Sequence, residues 1–176
     1  MQDSFDIPAW IDGRLAPVDK LEVHRRGLRH PAVSVFVMDG ARTLIQRRAL
    51  AKYHTPGLWA NACCTHPHWG EAPAACATRR LREELGITGL ALTPRERVTY
   101  RADVGAGLTE HEDVDIFTAE APAGLALAPD PAEVMDTRWI GLAALRAEVA
   151  AEPARFTPWL RIYLAEHADT IFAGAG

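Results

Sequence analysis

The sequence predicts an α+β fold in which a mixed β-sheet is packed by α-helices. Two observations carry this. Strand-like runs lie both before and after one strongly patterned helix, and turns rather than long linkers separate them. At 176 residues the chain is long enough for one well-buried core and short for two, so residues 1–176 are read as a single domain.

Each element has its own signal. The β-branched and aromatic run 32-AVSVFVM-38 ends at Asp39-Gly40 and is followed by 43-TLIQR-47, the pattern of a hairpin. Further strands are expected at 96-ERVTYRA-102, 114-VDIFTAE-120 and 134-VMDTRWI-140. Ala74, Ala77, Leu81 and Leu85 recur every three or four residues, which predicts a helix over 73–85 with Gly86 as its stop. Arg79 with Glu83, and Arg80 with Glu84, form i,i+4 pairs off that stripe. Two more helices are expected at 141-GLAALRAEVA-150 and 158-PWLRIYLAEHA-168, where Pro158 suits a first turn. The stretch 121-APAGLALAPDPAE-133 reads as a long surface connection. Near the N-terminus, Trp10 and Ile11 are expected in a short edge strand.

Composition excludes several classes. A net charge of −4, a pI near 6.0 and the lack of any Lys/Arg tract argue against nucleic acid as a partner. No apolar run approaches the ~18 residues that span a bilayer, so no membrane is expected. The acidic N-terminus lacks the basic-then-apolar order of a signal peptide. Cys63, Cys64 and Cys76 are an odd set. Neighbouring Cα atoms lie ~3.8 Å apart, against the ~5.5–6 Å that a disulfide prefers. Free thiols imply a reducing compartment, so the expected location is cytoplasmic; a monomer is the favoured state.

Chemistry concentrates in 57-GLWANACCTHPHWGE-71 and the helix behind it. The segment 65-THPHWGEAPAACATRRLREELGI-87 resembles the Nudix box: Gly, five residues, Glu, seven residues, then Arg-Glu-apolar-x-Glu-Glu-x-Gly-apolar. Glu71, Arg79, Leu81, Glu83, Glu84, Gly86 and Ile87 match it in register. Thr65 stands in place of the opening Gly, and Arg80 in place of the first Glu after Arg79. The resemblance implies a Nudix-type mixed β-sheet sandwich flanked by α-helices. Pyrophosphate hydrolysis wants several carboxylates around divalent cations. Arg80 removes one such ligand and adds a fork suited to phosphate oxygens, so the site is expected to hold a diphosphate well and cut it poorly.

Other residues stand out beside that helix. Cys64 precedes His66 by two, in a stretch with Pro56, Gly57 and Pro67 that is expected to be a loop. A cysteine taken alone is most often a small buried residue, and Cys76, among alanines on the helix, fits that description. Glu110 and Glu112 in 109-TEHEDVDIF-117 share one strand face while His111 takes the other; a polar face in water is the plain alternative. His24 and His30 in 24-HRRGLRH-30 precede the first core strand, and loop histidines usually bind nothing. With His66 and the two carboxylates, however, they make an N/O donor set suited to Zn²⁺, Mn²⁺ or Mg²⁺.

Taken together, GLWANACCTHPHWGE, RRLREELG, TYRAD, LTEHE and RFTPWL resemble the type I isopentenyl-diphosphate isomerase family, over about Lys20 to Tyr163. The resemblance implies interconversion of isopentenyl and dimethylallyl diphosphate, with an isoprenyl diphosphate as the small-molecule substrate. It makes Cys64, and not Cys63, the catalytic thiol, with Glu112 as acid–base and Tyr100 beside it. It assigns His24, His30, His66, Glu110 and Glu112 to one cation (Mn²⁺, Mg²⁺ or Zn²⁺), with the His24–His30 spacing one residue shorter than the family pattern. Glu84 would hold a Mg²⁺ that arrives with the diphosphate, which Lys20, Arg48, Lys52 and Arg80 would contact. Trp159 would offer an aromatic face to a cationic intermediate, with Trp59 as a further wall. A thiol makes sense in this setting when protons move on carbon and the diphosphate stays intact. The competing readings are a Nudix hydrolase, a ligand-binding Nudix domain, and a structural zinc site built from His24, His30, His66 and Cys64.

Overall fold

The computed structural model describes residues 5–174; residues 1–4 and 175–176, which belong to the leader and domain-span expectations, lie outside the described part. The expected hairpin is present. β3 (His30–Asp39) and β4 (Arg42–Arg48) pair at Met38↔Thr43 and Asp39↔Arg42, and Gly40 turns the chain at φ 56°. The two strands then part. β3 runs antiparallel to β6 (Cys63–Thr65) and parallel to β8 (Leu108–Glu120), which in turn pairs with β7 (Thr93–Gly105). β4 instead runs between β5 (Trp59–Asn61) and β9 (Val134–Gly141). The result is one mixed sheet that splays into two halves.

β3 explains why its sequence is apolar at nearly every position: both of its faces are covered. Val33, Val35 and Val37 meet Cys76, Ala77, Leu81 and Leu85 of α2 (Pro73–Leu85). Ala32, Phe36 and Met38 face the other way, into a cluster with Trp159, Leu160 and Tyr163. Each fully buried Val or Leu in these layers contributes about 1.5–3 kcal/mol. The helix ends where expected. Gly86 is left-handed (φ 68°), and a Cβ there would lie 2.7 Å from the Cβ of Ala128. The 121–133 connection crosses this point, with Ala128 and Asp130 N–H groups donating to the carbonyls of Leu85 and Glu84.

At the C-terminal end come α3 (Leu142–Ala151) and α4 (Pro158–Ile162), which continues through a π-helical stretch, Tyr163–His167, into α5 (Ala168–Ile171).

Two expectations need correction. The segment around Cys64 is not a loop: Cys63–Thr65 is a three-residue strand, too short for a periodicity window, held by pairing to β3. The N-terminal region is more than a short edge strand. It forms a hairpin of β1 (Asp6–Ile11) and β2 (Arg14–Asp19) turning at Asp12-Gly13, followed by α1 (Lys20–Arg26). Ile7 and Ala9 bury against Val23 in a small core of their own. The Asp19 side chain accepts the Glu22 N–H and caps α1. Among the described residues, no helix is long and apolar enough to cross a membrane.

Candidate active site

Strand register assembles the site. Cys64 lies opposite Ser34 on β3, His30 lies beside Glu112 across the parallel β3–β8 pair, and Tyr100 of β7 lies opposite Glu112. Residues facing one another across strands project to the same side, so thiol, phenol, imidazole and carboxylate converge. The period-two expectation for Glu110 and Glu112 holds: the Tyr100 hydroxyl reaches Glu110 Oε2 at 2.7 Å and Glu112 Oε2 at 2.9 Å. On the far side of Glu112, Oε1 stands 2.9 Å from His66 Nε2 and 3.5 Å from His30 Nε2.

All of these groups are buried except Cys64, which is partly buried, and burial is the first cause acting on their protonation. It pushes the Cys64 thiol well up, helped by the charges of Glu112 and Glu110, so the sulfur carries its proton. Burial likewise drives Tyr100 up. The two carboxylates diverge. Burial and the neighbouring charge of Glu112 raise Glu110; burial works on Glu112 too, but the imidazoles of His30 and His66 outweigh it and hold Glu112 low. Burial also keeps His66 and His24 neutral, His24 at about 4.

The histidines fit a cation. His24 Nδ1 lies 2.6 Å from the Lys20 carbonyl and His30 Nδ1 lies 2.7 Å from the Leu28 carbonyl. Each ring therefore gives its Nδ1–H to the backbone and turns a bare Nε2 inward. Both Nε2 atoms are buried and make no hydrogen bond. The ligand atoms of His24, His30, His66 and Glu112 all lie within 4.8 Å of one another, and neutral imidazoles with a carboxylate suit a divalent ion. Cys64 is outside this group, which removes the basis of the structural zinc reading.

The positive residues gather nearby. Lys20 opens α1, Arg48 ends β4, Lys52 follows it and Arg80 sits on α2. Together with Cys64, Glu84, Glu110, Glu112, His66 and Trp159 they line one cavity of 20 Å³, room for about one water. Lys20, Lys52 and Arg80 also line the 920 Å³ cleft outside it. Burial, then the charges of Lys52, Arg80 and Arg48, lowers Lys20 to about 8. Arg80 is engaged by carboxylates, Glu84 at 2.6 Å and Glu133 at 3.3 Å, and Lys52 also pairs with Glu133.

Of the remaining expected residues, Tyr100, His24 and His30 stand behind the cavity wall rather than on it. Trp159 lines the cavity with the Arg48 guanidinium 5.4 Å from its ring centre, and its indole N–H donates to Asn61 Oδ1 at 3.2 Å. Trp59 is a correction: it belongs to the hydrophobic core, beneath the Arg138 guanidinium at 5.0 Å, and does not line the cavity.

Sequence reasoning passed over several residues here. Tyr53, His54 and Thr65 line the cavity, and the Gln46 amide donates to Glu84 Oε2 at 2.8 Å. Ser34, opposite Cys64, is 3.1 Å from the Tyr163 hydroxyl. The available signal was the histidine in 52-KYHTPG-57, directly after the cationic pair.

The acids on and just before α2 are held by arginines. Glu71 is bound by Arg79 through two contacts of 2.7 and 2.8 Å and is held at about 2 by them, while Glu83 accepts from both Arg79 and Arg80. Among the described residues, they form no group of three close enough to hold an ion.

Comparisons with known proteins identify the family. Residues 28–160 match the NUDIX domain family. An isopentenyl-diphosphate Delta-isomerase of Cereibacter sphaeroides is 69% identical over 166 residues, covering 94% of each chain. That of Dinoroseobacter shibae is also 69% identical over 94% of each chain. Among solved structures, the MutT NUDIX hydrolase from Burkholderia pseudomallei superposes with a TM-score of 0.62 at 22% identity, covering 79% of this chain and 98% of that one; this likeness speaks to the fold alone. With seven-tenths identity to the first two and a matching domain across its centre, the chain belongs to the isopentenyl-diphosphate Delta-isomerase family of Nudix-fold proteins.

Proposed function

We propose that this chain, folded as one domain, interconverts isopentenyl diphosphate and dimethylallyl diphosphate in isoprenoid biosynthesis. The observation that carries the reading is that Cys64 and Glu112 line one cavity whose outer wall is cationic. Moving the double bond adds a proton at one carbon and removes one from another, leaving the diphosphate whole. An alkene is a poor base, so the acid must be close and dry. Cys64 and Glu112 are the two proton-carrying groups. In the resting protein the thiol is protonated and the carboxylate ionised, and each gives in one direction of the reaction what it takes in the other. Tyr100, bonded to both carboxylates, orients Glu112 and relays its proton. Trp159 stabilises the developing positive charge without trapping it; its ring already lies against a guanidinium.

His24, His30, His66, Glu110 and Glu112 would hold a Mn²⁺, Mg²⁺ or Zn²⁺ ion. When bound, that ion supplies positive charge favouring the ionised carboxylates. Lys20, Arg48, Lys52 and Arg80 bind the diphosphate, with Glu84 taking the Mg²⁺ that accompanies it, since one carboxylate plus substrate oxygens suits that ion. Glu133 would have to yield its two cations to the incoming anion. The free thiols are consistent with a cytoplasmic setting.

The deciding experiment is incubation with isopentenyl diphosphate and Mg²⁺ in deuterated water. Proton NMR should show deuterium in the allylic product and no free phosphate or pyrophosphate. Phosphate release without isomerisation would establish the hydrolase reading instead.

A further inference from the structure

The His/Glu group has a neighbour. His54 Nε2, His24 and Glu110 contribute ligand atoms that all lie within 4.8 Å of one another, a second cation-capable set that shares His24 with the first. His54 Nε2 is 3.5 Å from Glu110 Oε1, longer than the ~2.9 Å of a normal N–H···O bond. Its ring stacks on that of His24 with centres 5.6 Å apart and planes inclined at 29°.

The backbone around His54 is shaped to aim this ring. Thr55 adopts φ 46°, a strained value for a β-branched residue. In that conformation its hydroxyl sits 3.1 Å from His54 Nδ1. The Arg48 guanidinium fixes the His54 carbonyl at 3.2 Å. The Thr55 hydroxyl can accept from Nδ1–H, and in that tautomer Nε2 is bare, 3.5 Å from a Glu110 oxygen and close to His24, whose own Nε2 is buried without a hydrogen bond. Lone pairs left facing one another in a dry site repel unless a cation lies among them.

With one atom from each residue, the three imidazoles and two carboxylates already assigned make five donors, whereas an octahedral ion such as Mn²⁺ or Mg²⁺ takes six. We infer that His54 is a further protein ligand of the divalent cation held by the His/Glu group, completing its coordination through Nε2 opposite the Thr55-anchored Nδ1. This rests on the metal reading proposed above.

The test uses the full-length protein, stripped of metal and titrated with Mn²⁺, and compares the parent with His54→Ala, His54→Gln and His66→Ala. Circular dichroism checks each fold. Calorimetry gives Mn²⁺ affinity, and pulsed electron paramagnetic resonance counts the imidazole nitrogens coupled to the ion. Ligation by His54 predicts four imidazoles in the parent and three in His54→Ala and His54→Gln, with affinity weaker by about 10–100-fold in His54→Ala. If His54→Ala and His54→Gln keep the parent affinity and nitrogen count, the inference fails while the centre itself stands. Weaker binding with an unchanged count also overturns ligation, leaving His54 outside the coordination shell. A parent that binds no Mn²⁺ removes the centre and the inference together, a result distinguishable from both.

Discussion

The inner and outer ends of the cavity are built from opposite materials. Inside, Glu112 is bonded to Tyr100 and His66 in a buried network at 2.9 Å each, the partly buried Cys64 lines the same cavity, and burial is the first cause that raises the thiol and the phenol. Outside, Lys20, Lys52 and Arg80 line the cleft as well as the cavity and bring positive charge to it. The difference teaches how one small site divides its labour. In the proposed function, the groups that would exchange protons lie towards the inner end, while the groups that would hold the anion line the cleft through which it would arrive. Changes inside should therefore fall on turnover, and changes outside on binding.

The largest expected effect is at the inner end. Cys64→Ala should lower isomerisation by roughly 10³-fold or more, in keeping with the loss of a positioned acid–base group, while leaving KM and the melting temperature near the parent values. Steady-state kinetics with a thermal melt checks this. A Cys64→Ala protein turning over at the parent rate would break the comparison outright, because the inner end would then hold no essential thiol.

Lys20 sharpens the other side through pH. Its value falls from 10.5 to about 8, chiefly through burial and then the charges of Lys52, Arg80 and Arg48. Folding therefore disfavours its charged form. That penalty is fully present below about pH 8 and is relieved as pH climbs towards 10.5, so Lys20 makes the free protein relatively more stable over that range. Anion binding through Lys20, as proposed, would move the opposite way, since its ammonium is lost above about 8. Affinity for Mg²⁺-pyrophosphate, measured by calorimetry from pH 7 to 9.5, should fall about tenfold more in the parent than in Lys20→Met. Parallel pH profiles for the two proteins would place the anion elsewhere.

The two ends were not equally legible in the sequence. The helix over 73–85 appeared with its boundaries, because a thirteen-residue amphipathic stripe closed by glycine is a local signal. Glu110 and Glu112 were legible as a same-face pair for the same reason: strand periodicity is local. Cys64 reads as loop in the sequence, since a three-residue strand has no pattern of its own and exists only through pairing with Val33, Ser34 and Val35. His54 carries no such signal, because nothing in KYHTPG announces that its ring will stack on His24, thirty residues earlier in the chain. Gln46 and Glu133 likewise acquire meaning only when the sheet and the 121–133 connection bring them to Glu84 and Lys52. Such positions are set by tertiary pairing, which a single sequence does not display.

The smallest effect is the most discriminating, because it concerns a residue one bond along the chain from the largest. Cys63 and Cys64 are both pushed well up by burial, so both are neutral thiols and acidity does not tell them apart. Their directions do. Successive residues of β6 point to opposite faces. Cys63, fully buried, meets Val33, Cys76 and Leu81 in the core under α2, whereas Cys64 packs on the Trp159 side and opens into the cavity. Cys63→Ala therefore removes a sulfur from a packed layer and nothing from the network around Glu112. It should cost about 1 kcal/mol, seen as a melting temperature lower by roughly 2–4 °C, with kcat unchanged. If a folded Cys63→Ala protein were inactive, the strand would present its other face to the substrate, and the division between the two ends would have to be redrawn around α2.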